Sequence, residues 1–209
     1  MLFAVLLILS LAACAGNTAD PETTAQPETA TAQSQQEEPT DATPETTAEP
    51  SESKVLVVYF SATGTTKGVA EKIADITNAD LYEIKAAQAY TEADLDWNDS
   101  SSRTTKEQND ESVRPEIAGE KLSLNGYTTV FVGYPIWWGE EPRIMDTFAE
   151  SYDFDGITVI PFCTSGSSGI GRSSKNLEEN ANGGNWLEGA RFSGSVSEAE
   201  LQSWIASVM

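Results

Sequence analysis

The sequence predicts an α/β domain in which helices cover both faces of a five-stranded, doubly wound parallel sheet. Three observations predict this fold. Apolar, strand-like runs alternate with amphipathic segments from residue 54 to residue 209. Several of these runs are almost continuously apolar, as in strands that are buried on both faces. Loops rich in glycine, serine and threonine follow the runs, at the end of the sheet where parallel strands bind ligands.

Each element is predicted from its own apolar spacing. Residues 54–60 (KVLVVYF) and 127–134 (YTTVFVGY) are typical of buried strands, whereas residues 79–85 alternate and indicate an edge strand. The last helix begins at Ser197, with Glu200 three residues later, which is a capping box. The predicted order is strand 54–60, helix 66–77, strand 79–85, short helix 103–110, strand 127–134, helix 142–152, strand 156–162, helix 172–181, irregular strand 186–192 and a C-terminal helix.

A long connection, residues 86–126, separates the second predicted strand from the third. It is polar, and Pro115 interrupts it after the short helix. Connections of this length in compact domains usually carry a function or are mobile. This segment is therefore a candidate contributor to a binding site.

The chain before residue 54 is predicted to lie outside the folded domain. Residues 1–13 are typical of a secretion signal peptide, an apolar run that ends in small residues. The sequence LAAC that ends at Cys14 resembles the lipobox of bacterial lipoproteins. The resemblance implies cleavage before Cys14, lipid on its sulfur and anchoring to the extracytoplasmic face of the bacterial membrane. The alternatives are an ordinary signal peptide or a short anchor helix.

Residues 14–53 are predicted to be a disordered, acidic linker that follows the lipidated Cys14. They are rich in Thr, Glu, Pro, Ala and Gln and contain no aromatic residue. Such a segment cannot offset its ordering entropy by burying apolar surface. Like charges and prolines extend it, so the linker would hold the domain away from the membrane surface.

Charge and composition exclude several functions. The chain has a net charge of -21, with 24 acidic and 12 basic residues from residue 54 onward, so nucleic-acid phosphates would be repelled. Histidine is absent from the sequence, which excludes His-based triads and His metal ligands. If Cys14 carries lipid, Cys163 has no disulfide partner within the chain. We predict that Cys163 is a small buried residue and has no redox role, since no basic sequence neighbour activates it.

The loop after the first strand, SATGTT, is predicted to bind a phosphate. Gly64 permits a tight turn, and the following helix directs its free N–H groups and positive dipole end into the loop. Four hydroxyls add donors, and each hydrogen bond to a charged acceptor contributes about 1.5–3 kcal/mol, so no Lys or Arg is required. The alternative is that these hydroxyls only cap the helix. The loop consists of Ser61, Ala62, Thr63, Gly64, Thr65 and Thr66.

Two further loops at the same end of the sheet are predicted to receive a flat aromatic ligand. Trp137 and Trp138 are adjacent after the third strand, so at least one should lie at the surface. A ring stacked there would gain about 0.5–1.5 kcal/mol beyond area burial; the alternative is that both tryptophans fill the core. The glycines of residues 163–171 (CTSGSSGIG) would let backbone amides approach a polar ring edge.

Taken together, these loops resemble those of flavodoxin-like domains. SATGTT is similar to the flavodoxin phosphate loop, Ser/Thr-x-Thr-Gly-x-Thr, and GYPIWWGEEP followed by PFCTSGSSGIG is similar to such domains in bacterial reductases and lipoproteins. The resemblance covers most of residues 54–209 and implies strand order 2-1-3-4-5, with FMN as cofactor and its phosphate on residues 61–66. The implied contacts of the isoalloxazine ring are Pro135, Ile136, Trp137, Trp138, Gly139, Cys163, Thr164, Ser165 and Gly166.

The sequence departs from the family pattern in one respect. The simplest flavodoxins hold the ring between two aromatic side chains, one of them on the loop after the fourth strand. That loop, CTSGSSGIG, contains no aromatic residue here. The second face of the ring is therefore open, or covered by Trp97 or Tyr90 from the long connection.

The resemblance implies an electron-transfer flavoprotein whose partner is a redox protein or a small electron acceptor. No side chain need act as acid or base, because a backbone group near Trp138 and Gly139 would serve flavin N5. An FMN-dependent NAD(P)H:quinone or small-acceptor reductase is the second hypothesis. The third is a lipid-tethered module that binds another phosphorylated ligand and has no redox activity.

Overall fold

Six strands and five helices lie within residues 54–209, which are the residues that the computed structural model describes, and they alternate except that β6 follows β5 directly. The predicted signal peptide, Cys14 and the linker up to residue 53 lie outside the described residues. The strands are β1 (Lys54–Phe60), β2 (Asp80–Ile84), β3 (Tyr127–Pro135), β4 (Thr158–Thr164), β5 (Asn185–Trp186) and β6 (Ala190–Phe192). The helices are α1 (Thr65–Thr77), α2 (Arg103–Gln108), α3 (Arg143–Ser151), α4 (Ser173–Asn180) and α5 (Glu198–Val208).

All strand pairs are parallel, and the order is β2-β1-β3-β4-β5, which confirms the predicted topology. Two short strands share the fifth position in the sheet, because β5 pairs with the start of β4 and β6 pairs with the end of β4. Pro161 explains the break. The carbonyl of Val159 accepts a hydrogen bond from the edge segment. The nitrogen of Pro161, two residues further along β4, faces the same edge but has no N–H to donate, so the pairing is interrupted there.

The core is divided between the two faces of the sheet by the alternation of β1. From Val55 to Phe60, odd-numbered residues pack with α1 and α5 and even-numbered residues pack with α3 and α4. On one face the cluster includes Ile73 and Leu201, and on the other it includes Leu177. This two-sided burial confirms the doubly wound arrangement.

The end of β4 differs from the sequence prediction. The strand was expected over residues 156–162 but extends over Thr158–Thr164, so Cys163 and Thr164 belong to the strand and not to the loop. Gly156, at φ 74°, lies in the turn before the strand, and β3 continues far enough to pair with Thr164. The loop after β4 therefore begins at Ser165.

The long connection between β2 and β3 is folded against the domain. Ala86 and Ile117 form an antiparallel bridge that brings its two ends together, and α2 confirms the short helix predicted within it. Arg103 stacks 3.9 Å from the ring centre of Tyr90 and bonds to Glu107 at 2.6 Å. In the described part of the chain, no helix has both the length and the hydropathy needed to cross a bilayer.

Candidate functional site

The start of α1 leaves backbone donors free at the carboxyl end of β1. Gly64 occupies the N-cap position at φ 86°, and no side chain caps the helix. The first bond of the helix runs from the Gly68 N–H to the Gly64 carbonyl at 3.1 Å. The N–H groups of residues 65–67 therefore have no helical acceptor. The alternative interpretation, in which the hydroxyls serve only as caps, is wrong for this helix.

The four loop hydroxyls have different environments. Ser61 Oγ is buried and has no hydrogen-bond partner in residues 54–209. Thr63 and Thr65 are exposed, with their hydroxyl oxygens 3.4 Å apart. Thr66 is almost fully buried, and its hydroxyl lies 2.8 Å from that of Thr164 on β4. Thr66 thus joins the start of α1 to the end of β4, and its backbone N–H is the group left for a ligand.

A crevice of about 290 Å³ runs from this loop to the loop after β4. None of its lining residues is charged. The wall includes Ser193 and Gly194, which follow β6 and were not predicted as site residues. A Cβ on Gly194 would lie 2.8 Å from Cγ2 of Thr65, so the two loops are in close contact. The crevice is lined by Thr63, Thr65, Pro135, Thr164, Ser165, Gly166, Ser193 and Gly194.

Trp137 and Trp138 lie in a tight turn after β3, residues 137–140, which we call the Trp turn. The N–H of Trp137 donates to the carbonyl of Glu140 at 2.9 Å, and the N–H of Glu140 donates back at 3.0 Å. Trp138 and Gly139 have φ values of 51° and 89°, as a two-residue hairpin turn requires. Positive φ is unfavourable for a bulky residue, so the fold holds Trp138 in a strained position.

The two tryptophans have different roles in packing. Trp137 is half-buried and packs edge-on against Phe60 and Tyr90, with ring centres 5.6 and 5.3 Å away. Trp138 is 46% exposed. This confirms the prediction that at least one tryptophan lies at the surface.

Trp97 and Trp138 border an apolar cavity of about 350 Å³, the aromatic slot, beside the β1–α1 loop. Trp97 is 72% exposed, which is high for tryptophan, and none of the lining side chains is charged. Tyr90 lies beneath the Trp turn, where its hydroxyl donates to Glu107 at 2.7 Å. Of the two residues predicted to cover the second face of a bound ring, Trp97 borders the slot and Tyr90 does not. The slot is lined by Thr63, Leu95, Trp97, Thr104, Ile136, Trp137 and Trp138.

Two other predicted residues, Ala62 and Cys163, line neither the crevice nor the aromatic slot. Ala62 faces a separate apolar cavity beside β2, which Ser61 also lines. Cys163 lies within β4 with 0% exposure and does not line the crevice. Burial raises the pKa of its thiol to about 12, so Cys163 is an unreactive core residue, as the sequence predicts.

Buried charges lie directly behind the Trp turn. Glu141 and Asp146 are each 1% exposed, and Arg143 Nη1 lies 3.8 and 3.6 Å from their carboxylates. Burial, with the nearby Asp146 charge, raises the pKa of Glu141 to about 7. The side-chain amide of Gln108 links this cluster to the turn by donating to the carbonyls of Trp137 and Glu141 at 3.1 and 3.2 Å. The sequence GEEP gives no sign that Glu141 is buried.

We predict that Glu141→Gln reduces the pH dependence of stability between pH 4.5 and 7. The ordinary glutamate pKa is 4.5 and the folded pKa is about 7, so the native state binds more protons in this interval. The stability contribution of the protonated carboxyl is therefore complete below pH 4.5 and is lost as pH rises through 7. One such group contributes a slope of at most about 1.4 kcal/mol per pH unit. Urea unfolding at several pH values measures this slope.

The matched control is Glu179→Gln, which removes an exposed carboxyl from the polar cavity that Glu141 also lines. It should leave the slope of the wild-type protein unchanged. Parallel profiles for wild type and Glu141→Gln would show that Glu141 does not titrate in this range.

Comparisons with known proteins agree with this geometry. The Flavodoxin family model matches residues 54–208. A candidate flavoprotein from Bacteroides eggerthii DSM 20697 is 46% identical, with a TM-score of 0.70, over 75% of this chain and 98% of its own. Another, from Bacteroides uniformis ATCC 8492, is 46% identical, with a TM-score of 0.70, over 74% and 98%.

A flavoprotein from Lactobacillus acidophilus NCFM, solved in complex with FMN, is 26% identical, with a TM-score of 0.56, over 73% of this chain and 99% of its own. No curated protein matched the chain. The family model covers the whole sheet and every loop of the candidate site. The chain therefore belongs to the flavodoxin family.

Proposed function

We propose that this chain is an FMN-binding electron-transfer flavoprotein tethered to the extracytoplasmic face of a bacterial membrane. Family membership and the FMN complex of the Lactobacillus relative support the cofactor. The observation that carries the proposal is the uncapped start of α1 beside a crevice without charged lining residues. FMN combines a phosphate with a flat ring, so it fits the donors of the crevice and the aromatic side chains next to it.

The chain's own residues would bind and orient the cofactor. The N–H groups of residues 65–67, with the hydroxyls of Ser61, Thr63 and Thr65, would hold the phosphate. The exposed ring of Trp138 would stack on the isoalloxazine. In residues 54–209, the N–H groups of Trp138 and Gly139 have no backbone acceptor, so they are free to bond a polar ring atom. Bound FMN would supply the redox chemistry itself.

We predict that Ser61→Ala lowers FMN affinity without destabilising the apoprotein. The Ser61 hydroxyl is buried and unpartnered, so its removal should leave the free energy of unfolding equal or higher. A lost hydrogen bond to phosphate costs about 1.5–3 kcal/mol, or roughly a tenfold to hundredfold rise in the FMN Kd. FMN titration followed by visible absorbance and urea unfolding of the apoprotein measure the two effects.

Ser203→Ala is the control, because it removes a hydroxyl from the exposed surface of α5. It should preserve the FMN Kd. Wild-type FMN affinity in Ser61→Ala, together with a less stable apoprotein, would show that this hydroxyl supports the fold and not the phosphate.

A reductase acting on quinones or other small acceptors is the second candidate function. The specific observation in its favour is the aromatic slot, which has the size and apolar lining of a small-molecule site. The carrier assignment predicts negligible steady-state NAD(P)H oxidation by FMN-loaded protein, with or without an added quinone. Rapid, saturable turnover that Trp97→Ala weakens would instead assign the reductase function.

We infer the membrane tether from the LAAC sequence and the acidic linker that follows it. The linker would leave the domain free to meet a redox protein, and its net negative charge favours a partner with a basic surface.

We predict that Cys14→Ser releases the full-length protein from the bacterial membrane fraction, because the mutation removes the sulfur that carries lipid. Fractionation of cells and incorporation of labelled fatty acid measure the effect. Cys163→Ser is the control and should leave both readouts unchanged, since that thiol is buried in the core. A wild-type protein that takes up no lipid would exclude the lipoprotein assignment.

A further inference from the structure

Arg191 holds the loop after β4 from behind. It lies on β6, in register with Cys163 of β4. Its Nε donates to Ser165 Oγ at 3.1 Å, and its Nη2 donates to the carbonyls of Ser165 and Gly166 at 2.5 and 2.7 Å. Ser165 Oγ in turn donates to the carbonyl of Ser168. One guanidinium group therefore fixes the turn at residues 165–168.

The charge of Arg191 is not compensated by an ion pair. Arg103, Arg114 and Arg143 each contact a carboxylate, whereas no carboxylate of the described chain lies within 4.0 Å of the Arg191 guanidinium. Arg172 likewise has no carboxylate within 4.0 Å among the described residues, but of these two arginines only Arg191 bonds to residues that line the crevice. The positive charge of Arg191 therefore lies beside the crevice without a paired carboxylate.

The bonds to Arg191 also set the direction of the loop N–H groups. The carbonyls of Ser165 and Gly166 point at the guanidinium. In a planar trans peptide the N–H points the opposite way, so the N–H groups of Gly166 and Ser167 point away from Arg191. Neither N–H has a protein acceptor among residues 54–209. Gly166 lines the crevice, so the loop carries one free donor at the crevice wall and a second at the next residue, Ser167.

We propose that Arg191 is a positioning residue for the ring of FMN and favours the reduced cofactor over the oxidised one. The guanidinium holds residues 165–168 so that the N–H groups of Gly166 and Ser167 are free to bond the polar edge of the ring. Reduction of bound FMN by two electrons and one proton would add one negative charge to the ring, and the positive charge of Arg191 would stabilise that charge. This inference rests on the proposed binding of FMN. It adds that Arg191, which lies after the loops of the site in the sequence, raises the midpoint potential of bound FMN by its charge.

Two substitutions separate the contacts of Arg191 from its charge. Arg191→Gln removes both, and we expect the affinity for reduced FMN, relative to oxidised FMN, to fall at least tenfold. A tenfold fall equals a drop of about 30 mV in the two-electron midpoint potential. Arg191→Lys keeps the positive charge but lacks the planar guanidinium that bonds two carbonyls. The midpoint potential should therefore be unchanged, and the FMN Kd should rise. FMN titration and redox titration of the FMN-loaded protein measure both quantities.

Lys175→Gln is the matched control, because it removes one positive charge from the exposed side of α4. It should preserve both the Kd and the potential. An unchanged potential in Arg191→Gln, or an equal shift in Lys175→Gln, would overturn the electrostatic role. If Arg191→Gln fails to fold or to bind FMN, Arg191→Lys decides: wild-type FMN affinity there would overturn the positioning role. Failure of the wild-type protein to bind FMN would refute the proposed function itself.

Discussion

Burial of β1 on both faces is the constraint on which the rest of the structure depends. Every β1 residue from Val55 to Phe60 is at most 7% exposed, so side chains along the strand are inaccessible to a ligand in solvent. Polar groups that can reach a ligand are confined to the end of the strand. The chain continues there with hydroxyl-bearing residues and Gly64. In the sheet β1 lies beside β3, and β3 lies beside β4, so the loops that follow these strands form one crevice although they are distant in sequence.

An acidic domain can hold the phosphate here because the donors at the start of α1 are neutral dipoles and not charged side chains. The uncapped N–H groups of α1 and the neighbouring hydroxyls are short-range donors, whereas the surface carboxylates are screened beyond about 8 Å at physiological salt. The loops also support one another. Thr66 is bonded to Thr164, Gly194 allows close contact with Thr65, and the Gln108 amide joins the Trp turn to the buried carboxylates.

The sequence was informative where local chemistry determines the structure. Continuous apolar runs identified the buried strands, and a glycine among hydroxyls identified the α1 start. The adjacency of Trp137 and Trp138 identified an exposed aromatic side chain. The sequence was uninformative where contacts between distant parts of the chain determine the structure. The loop after β4 begins at Ser165 because β3 extends to pair with Thr164, and neither the burial of Glu141 nor the contact from Arg191 to Ser165 has a local signal.

The central claim is that the start of α1 holds the phosphate of FMN with neutral donors. Calorimetric titration of the apoprotein with FMN and with riboflavin, which lacks the phosphate, tests it most directly. Two or more hydrogen bonds of about 1.5–3 kcal/mol each predict FMN binding at least roughly a hundredfold tighter than riboflavin binding. Because no Lys or Arg lines the crevice, this advantage should depend only weakly on salt. Equal affinity for the two flavins would contradict the account.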